Sequence, residues 1–200
     1  MNLAGHITRT PEGDIGTRGS VYTYVLAGNG LWLEADNGLL EVRACLARKE
    51  VRGLPPAAPL LELRHGLIPP QLFSQAIEAF SARPDLEWYA AIVHDGQGYR
   101  LVLPPQKGSG GSVTYVPVPG TVVGLHSHGR MGAFFSGTDD QDDQGFLVSV
   151  VVGGLDRLVP TVKARLCIYG YHALVNLWAL FAEAPRWMKE AEAPGGEWRF

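Results

Sequence analysis

The first part of the chain alternates short apolar runs with turn residues, a pattern typical of antiparallel strands. Residues 20–46 are SVYTYVLAGNGLWLEADNGLLEVRACL, in which GNG and DNG separate runs rich in Val, Tyr, Trp and Leu. Glycine and asparagine supply the positive φ that tight hairpin turns require. We therefore predict a three-stranded meander, followed by a linker in VRGLPPAAPL, whose prolines break a regular ladder.

A helix is predicted over residues 69–83, PPQLFSQAIEAFSAR. Pro70 suits the first turn of this helix, and Pro84 ends it. The apolar positions that recur at helical spacing are Leu72, Phe73, Ala76, Ile77 and Phe80.

Strands dominate the pattern that follows this helix. EWYAAIVHD, YRLVLPPQ, SVTYVPVP and TVVGLHSH are four short strand-like runs, and the continuously apolar FLVSVVVGG predicts a strand covered on both faces. TVKARLCIYGY alternates apolar and polar residues and predicts a half-covered strand. We further predict a short helix in DDQDDQGF, a final helix in HALVNLWALFAEA, and a flexible loop without further role in KGSGGS.

The order of these elements predicts an α+β (α/β-layered) domain, with a mixed sheet flanked by helices and preceded by a small β subdomain. We place the β-rich subdomain at residues 1–62, the main domain at 63–185 and a C-terminal tail at 186–200.

Charge and composition exclude several classes of function. A net charge of -3 gives no field that would attract nucleic acid or anionic lipid. The most apolar runs are about ten residues long, against the roughly 20 that a membrane span needs. With no apolar leader in MNLAGHITRTPEGD, and with Cys45 and Cys167 both in strand-like runs, we expect a cytoplasmic protein whose cysteines are core residues.

The segment GLHSHGRMGAFFSGTDDQDD, residues 124–143, holds the candidate chemistry. His126 and His128 end a predicted strand, so both side chains should project from the same face. Ser136 is placed as the N-cap of the short helix, with Asp139 at the third helical position and aimed back at the strand end. Two histidines and one carboxylate can bind zinc and leave a fourth position open, as in catalytic sites.

Simpler interpretations remain open at this point. A single histidine is usually not a metal ligand, and Ser136 and Asp139 could form only a capping pair. The run Asp139, Asp140, Asp142 and Asp143 could be a solvated helix N-terminus favoured by the helix dipole.

The spacing of these residues resembles a known family. His126-Ser-His128, seven residues, Ser136, two residues and Asp139 is similar to the HxH-x7-S-x2-D signature of the JAB/MPN (JAMM) zinc metalloproteases. The family has a glutamate upstream, just after its first helix, where this chain has Glu87. The resemblance covers roughly residues 65–180 and is closest to prokaryotic JAB proteins. The N-terminal β portion and the run RHGLIPP resemble the protein A family of PRTRC cassettes.

The resemblance implies a fold, a reaction and partners. The fold would be a cytidine-deaminase-like mixed sheet, with Zn²⁺ bound by His126, His128 and Asp139. Glu87 would be the general base, and Ser136 would stabilise the oxyanion during hydrolysis of an amide bond. The substrate would be the C-terminal tail of a ubiquitin-like or sulfur-carrier-like protein, with a ThiF-like adenylating enzyme as a possible partner.

The alternative hypothesis is a non-catalytic JAB-fold subunit that binds or assembles partners. Gly129 and Phe135 depart from the family, which often has proline at both positions. Asp140 adjoins Asp139, but the family spacing favours Asp139 as the ligand. Phe134 and Phe135 are the aromatic residues most able to contact a substrate, because they lie in the loop between the candidate ligands.

Overall fold

The computed structural model of the chain describes residues 2–183 and separates them into two compact units, residues 2–64 and 65–183. The predicted tail at residues 186–200 lies outside the described residues. No helix among the described residues is long and apolar enough to cross a membrane.

The first unit is a six-stranded sheet in the order β2-β1-β3-β4-β5-β6. The meander predicted over residues 20–46 is confirmed, because β3, β4 and β5 pair antiparallel in sequence order. At the N-terminus, β1 and β2 form an antiparallel hairpin, and β1 also pairs parallel with β3. The six strands are β1 (Ala4–Thr10), β2 (Gly13–Thr17), β3 (Tyr22–Ala27), β4 (Gly30–Asp36), β5 (Leu40–Arg48) and β6 (Leu60–Leu63).

An ion cluster centred on Glu34 of β4 ties three strands of this sheet together with the turn before β3. The Glu34 carboxylate accepts hydrogen bonds from Arg18 at 2.7 Å, Arg43 at 2.5 Å and Arg9 at 3.2 Å. Burial by itself raises the pKa of Glu34, but the hydrogen bonds from Arg18 and Arg43 outweigh it and leave the pKa below its ordinary value. Glu34 therefore stabilises the folded unit in its ionised form.

We predict that Glu34→Gln lowers the free energy of unfolding of the first unit by about 2 kcal/mol at neutral pH, since hydrogen bonds to a charged group are lost. In the wild type this contribution is complete above the ordinary glutamate pKa of 4.5 and disappears as the pH falls through the lower folded-state pKa. Denaturant unfolding at a series of pH values measures both effects. The exposed Glu12→Gln is the control, and equal acid sensitivity of the wild type and Glu34→Gln would contradict the assignment.

The second unit begins with helix α1 (Pro70–Ser81), which confirms the helix predicted over residues 69–83. Pro70 lies in its first turn, as expected, and Phe73, Ala76, Ile77 and Phe80 are buried along one face. The spacing of apolar residues therefore identified both the helix and the face that packs on the rest of the unit.

A mixed six-stranded sheet in the order β14-β13-β12-β11-β7-β8 forms the body of the second unit. β11 and β12 run parallel, and the other neighbouring pairs are antiparallel. With α1 and the short α2 (Gly137–Asp142), this confirms the predicted α+β character. The strands are β7 (Tyr89–His94), β8 (Tyr99–Val102), β11 (Thr121–Ser127), β12 (Phe146–Gly153), β13 (Thr161–Ile168) and β14 (Tyr171–Leu174).

The predicted final helix in residues 172–184 is wrong. Tyr171–Leu174 forms β14, which pairs antiparallel with β13, and only Leu177–Leu180 is helical, as a single 3₁₀ turn. The left-handed backbone at Tyr169 and Gly170 reverses the chain directly after β13, so that the following residues form a hairpin with it.

Two further predictions need correction. The strand β13 is not half-covered, because Arg165, a charged residue of the alternating pattern, is buried together with its neighbours from Ala164 to Ile168. The run KGSGGS is not simply a flexible loop: it starts within β9 (Gln106–Gly108) and turns into β10 (Val113–Tyr115), which together form a two-stranded hairpin. Cys45 and Cys167 are buried free thiols, as predicted.

Candidate metal centre

His126 and His128 lie at the carboxyl end of β11, which is enclosed between β7 and β12. His126 is the sixth residue of the strand, and the backbone N–H of His128 donates to Val152 of β12 at 2.8 Å. Both side chains are buried, and their ring centroids are 5.2 Å apart. The strand therefore presents two imidazoles side by side at one end of the sheet, as its alternation predicted.

Asp139 is positioned by a capping box at the start of α2. Its backbone N–H donates to Ser136 Oγ at 3.2 Å, and its carboxylate Oδ2 accepts the backbone N–H of Ser136 at 2.5 Å. The prediction of Ser136 as N-cap and Asp139 as the third helical residue is confirmed. Capping uses one carboxylate oxygen and leaves the other, Oδ1, beside His126, so the capping and ligand interpretations are compatible.

The ligating atoms of His126, His128 and Asp139 all lie within 4.8 Å of one another. His126 Nε2 is 2.9 Å from Asp139 Oδ1, and His128 Nε2 is 3.8 Å from Asp139 Oδ2. Despite that short distance, the buried His126 Nε2 has no hydrogen-bond partner of acceptable geometry among residues 2–183. The nitrogen and the carboxylate thus converge on a shared space, and two imidazoles with one carboxylate are donors that Zn²⁺ accepts.

The charge states of these groups suit a divalent cation. Burial lowers the pKa of His128, and the neighbouring His126 lowers it further, so the ring is neutral near pH 7 and keeps a lone pair for a metal. Burial tends to raise the pKa of Asp139, but the contacts with His126 and Ser136 outweigh it and hold the pKa well below its usual range. The site therefore offers one negative charge, on Asp139, and a neutral imidazole at His128.

Glu87 lies two residues before β7 and lines the same cleft as the three candidate ligands. Its side chain is buried, and its backbone N–H donates to Ser109 O, in the β9–β10 hairpin, at 2.7 Å. Burial is the main reason that the pKa of Glu87 is raised, with His126 lowering it and Asp139 raising it. A carboxyl group with a raised pKa in a cleft is suited to accept and release a proton.

Ser136 also lines the cleft and is partly exposed. Its oxygen already accepts the Asp139 N–H, so its own hydrogen is available for donation into the cleft. The two neighbouring phenylalanines differ in environment. Phe134 is 44% exposed and packs edge-on against His128. Phe135 lies under the guanidinium of Arg165, whose Cζ is 4.0 Å from the centroid of the phenyl ring.

Arg165 is a residue of the site that the sequence pattern missed. It is buried on β13, donates to Asp143 Oδ2 from Nε at 3.0 Å and from Nη2 at 2.7 Å, and pairs with Asp140. The six-residue α2 has no buried residue of its own, so these carboxylates fasten it to the sheet. Because Asp140 faces Arg165, it does not compete with Asp139 as a ligand, in agreement with the choice made from spacing.

The turn after His128 departs from the family pattern in a way that the backbone requires. Gly129 has φ +56°, a conformation closed to the proline that often follows the second histidine. A side chain at this position would also approach the carbonyl oxygen of Pro84. The loop between the candidate ligands therefore leaves β11 through a turn that requires glycine at this position.

Part of the second unit matches the model of a known protein family. Residues 118–167 match the family model described as prokaryotic homologs of the JAB domain. The matched segment contains His126, His128, Ser136 and Asp139, and extends from β11 through α2 and β12 into β13. The match supports the JAB family for this part of the chain, whose mixed sheet is consistent with a JAB-like fold. No curated protein matches the chain.

We predict that Arg165→Ala weakens zinc binding by about tenfold to a hundredfold, the range found when a group that orients a metal ligand is removed. The free energy of unfolding should fall by about 3 kcal/mol, because the largely buried carboxylate of Asp143 loses its partner. Competition with a chelator and denaturant unfolding measure the two effects. Arg100→Ala, which breaks an exposed pair with Asp95, is the matched control. Unchanged zinc affinity in Arg165→Ala would show that α2 is held by other contacts.

Proposed function

We propose that the second unit is a zinc-dependent metallopeptidase or isopeptidase that hydrolyses an amide bond. The observation that carries this proposal is the convergence of two imidazoles and a carboxylate beside Glu87 in one cleft. The spacing of His126, His128, Ser136 and Asp139 and the match to the prokaryotic JAB model support the same reaction class.

The residues that would hold the ion are His126, His128 and Asp139. Zn²⁺ in such a site supplies Lewis acidity toward a water molecule and toward the carbonyl oxygen of the substrate. The chain contributes a rigid donor set: a strand enclosed by two neighbours positions the histidines, and a capping box held by Arg165 positions the aspartate.

Glu87 acts as the general base and then as the general acid. Its carboxylate takes a proton from the attacking water and later delivers that proton to the nitrogen of the leaving amine. Burial favours this exchange, because a carboxylate with a raised pKa is a stronger base and gives a proton back at a pH closer to neutral.

Ser136 stabilises the charge that develops on the carbonyl oxygen. Its hydroxyl oxygen accepts the Asp139 N–H with one lone pair, which orients the group and leaves the O–H free to donate. A donor preorganised in this way stabilises negative charge without reorganisation during the reaction.

The substrate we propose is the C-terminal tail of a ubiquitin-like or sulfur-carrier-like protein. Such a tail can bind extended, adding a strand beside the cleft. Gly111, Ser112, Val113 and Tyr115 of the β9–β10 hairpin and its turn line the cleft and offer a backbone edge for it. We further propose that the chain works in a PRTRC cassette with a ThiF-like adenylating enzyme, on the basis of the resemblance of its N-terminal portion and the run RHGLIPP.

The first test of this proposal is metal content. We expect about one Zn²⁺ per chain in the wild type, and loss of the ion in Asp139→Asn and His126→Ala, because each variant removes one of three protein ligands. Elemental analysis of purified, dialysed protein gives the stoichiometry. His6→Ala, in the first unit, should retain the metal. Equal zinc content in Asp139→Asn and the wild type would exclude this ligand set.

The second test separates an enzyme from a binding subunit. With zinc bound, the wild type should cleave a fusion of ubiquitin to a C-terminal reporter peptide, and a chelator should stop the reaction. Glu87→Gln should keep its zinc and lose about a hundredfold to ten-thousandfold in kcat, since general acid–base catalysis contributes this much.

The exposed Glu62→Gln is the matched control and should keep full activity. Normal turnover by Glu87→Gln would remove Glu87 from the mechanism. Stoichiometric zinc without cleavage of any ubiquitin-like tail would instead favour the non-catalytic JAB-fold assembly subunit.

A further inference from the structure

The serine between the two histidines, Ser127, is fully buried, and alternation along β11 turns its side chain away from the face of the candidate ligands. We propose that Ser127 is a positioning residue: its hydroxyl fixes the segment Leu86–Trp88 and so orients the Glu87 carboxylate. The inference rests on the proposed function of Glu87 as the general base.

The hydrogen bonds around Ser127 replace part of the regular ladder between β11 and β7. The last regular pair is His126 with Tyr89, and the next would be Ser127 with Trp88. Ser127 N donates to Trp88 O at 2.8 Å, as a regular antiparallel pair requires. The return bond differs, because Trp88 N donates to Ser127 Oγ at 2.9 Å instead of to a backbone carbonyl.

The same hydroxyl also reaches the other side of Glu87. Ser127 Oγ lies 3.5 Å from Leu86 O, which makes Leu86 its acceptor in a long hydrogen bond. One side chain thus contacts the residues before and after Glu87, while the N–H of Glu87 itself donates to Ser109 O at 2.7 Å. The backbone of Glu87 is held from the β11 side by Ser127 and from the hairpin side by Ser109.

This arrangement explains why the side chain of Ser127 matters although it contacts no candidate ligand atom. A short hydroxyl accepts the Trp88 N–H where a regular strand would use its carbonyl, so the chain can depart from the ladder at the point where Glu87 enters the cleft. Alanine at position 127 would leave the Trp88 N–H without its acceptor, and the segment would shift to find another. A displacement of about 1 Å at a catalytic group can cost about a hundredfold in rate.

The first measurement is amide hydrogen exchange in the zinc-loaded protein. In Ser127→Ala we expect the amides of residues 86–88 to exchange about tenfold faster, because a local hydrogen bond that limits their opening is lost. The matched control is Thr23→Val in the first unit. It also removes a buried hydroxyl that accepts a backbone N–H, from Gly19 at 3.1 Å. The control should leave exchange in residues 86–88 unchanged.

The second measurement is the kinetics of cleavage of the ubiquitin fusion. Ser127→Ala should keep the zinc stoichiometry and KM of the wild type and lose about tenfold to a hundredfold in kcat, less than Glu87→Gln. In the Glu87→Gln background the same change should cause no further fall in the residual rate, because Ser127 acts through Glu87. A residue that only stabilises the fold would lower the rate equally in both backgrounds.

The outcomes separate this inference from the proposed function. Unchanged exchange in residues 86–88, an unchanged kcat, or loss of zinc from Ser127→Ala would each overturn the role of Ser127. If the zinc-loaded wild type cleaves no ubiquitin fusion, the proposed function fails. The exchange data then decide alone whether Ser127 holds the segment that carries Glu87.

Discussion

The carboxylate of Asp139 is the group on which the candidate site depends. One of its oxygens closes the capping box with the Ser136 N–H, and the other faces His126 Nε2. A helix of six residues has almost no stability of its own, because the entropic cost of nucleation cancels most of the free energy that its few hydrogen bonds contribute. The cap and the contact with His126 therefore stabilise one another. The cap orients the carboxylate toward the histidines, and the contact with His126 stabilises the first turn of the helix at that place.

The position of Asp139 also depends on Arg165, which lies on β13, two strands away from β11 in the sheet. Position 165 pairs with Ser149 on β12, which in turn pairs with Gly124 on β11, two residues before His126. Arg165 therefore projects from the same face as His126 and holds α2 through Asp140 and Asp143. A buried guanidinium is costly to desolvate, and two carboxylates and the ring of Phe135 offset that cost. The aspartate run is thus divided by function: Asp139 faces the histidines, and Asp140 and Asp143 anchor the helix.

Local periodicity was enough to predict the parts of the molecule in which neighbouring residues decide the outcome. Helix α1 follows from apolar spacing, the two histidines from strand alternation, and Asp139 from a cap motif within four residues. Pairing between distant segments decided the rest. Tyr171–Leu174 pairs with β13 instead of starting a helix, and β2 forms a strand although every residue in it is exposed. Arg165 seemed solvent-facing because alternation cannot indicate that an acidic helix covers that position.

The spacing of one residue between two histidines has a consequence beyond metal binding. In a strand this spacing places both imidazoles on one face and leaves the intervening side chain on the other, where a short hydroxyl can contact the backbone of a neighbouring segment. At position 127 that backbone belongs to the segment carrying Glu87. The two histidines and the segment that carries the candidate base are therefore both positioned by residues 126–128, at the carboxyl end of β11. Because β11 is enclosed by β7 and β12, a displacement of either group would have to disturb the centre of the sheet. The geometry between them is thus set by the pairing of β11 with its neighbours and by the hydrogen bonds of the buried Ser127 hydroxyl.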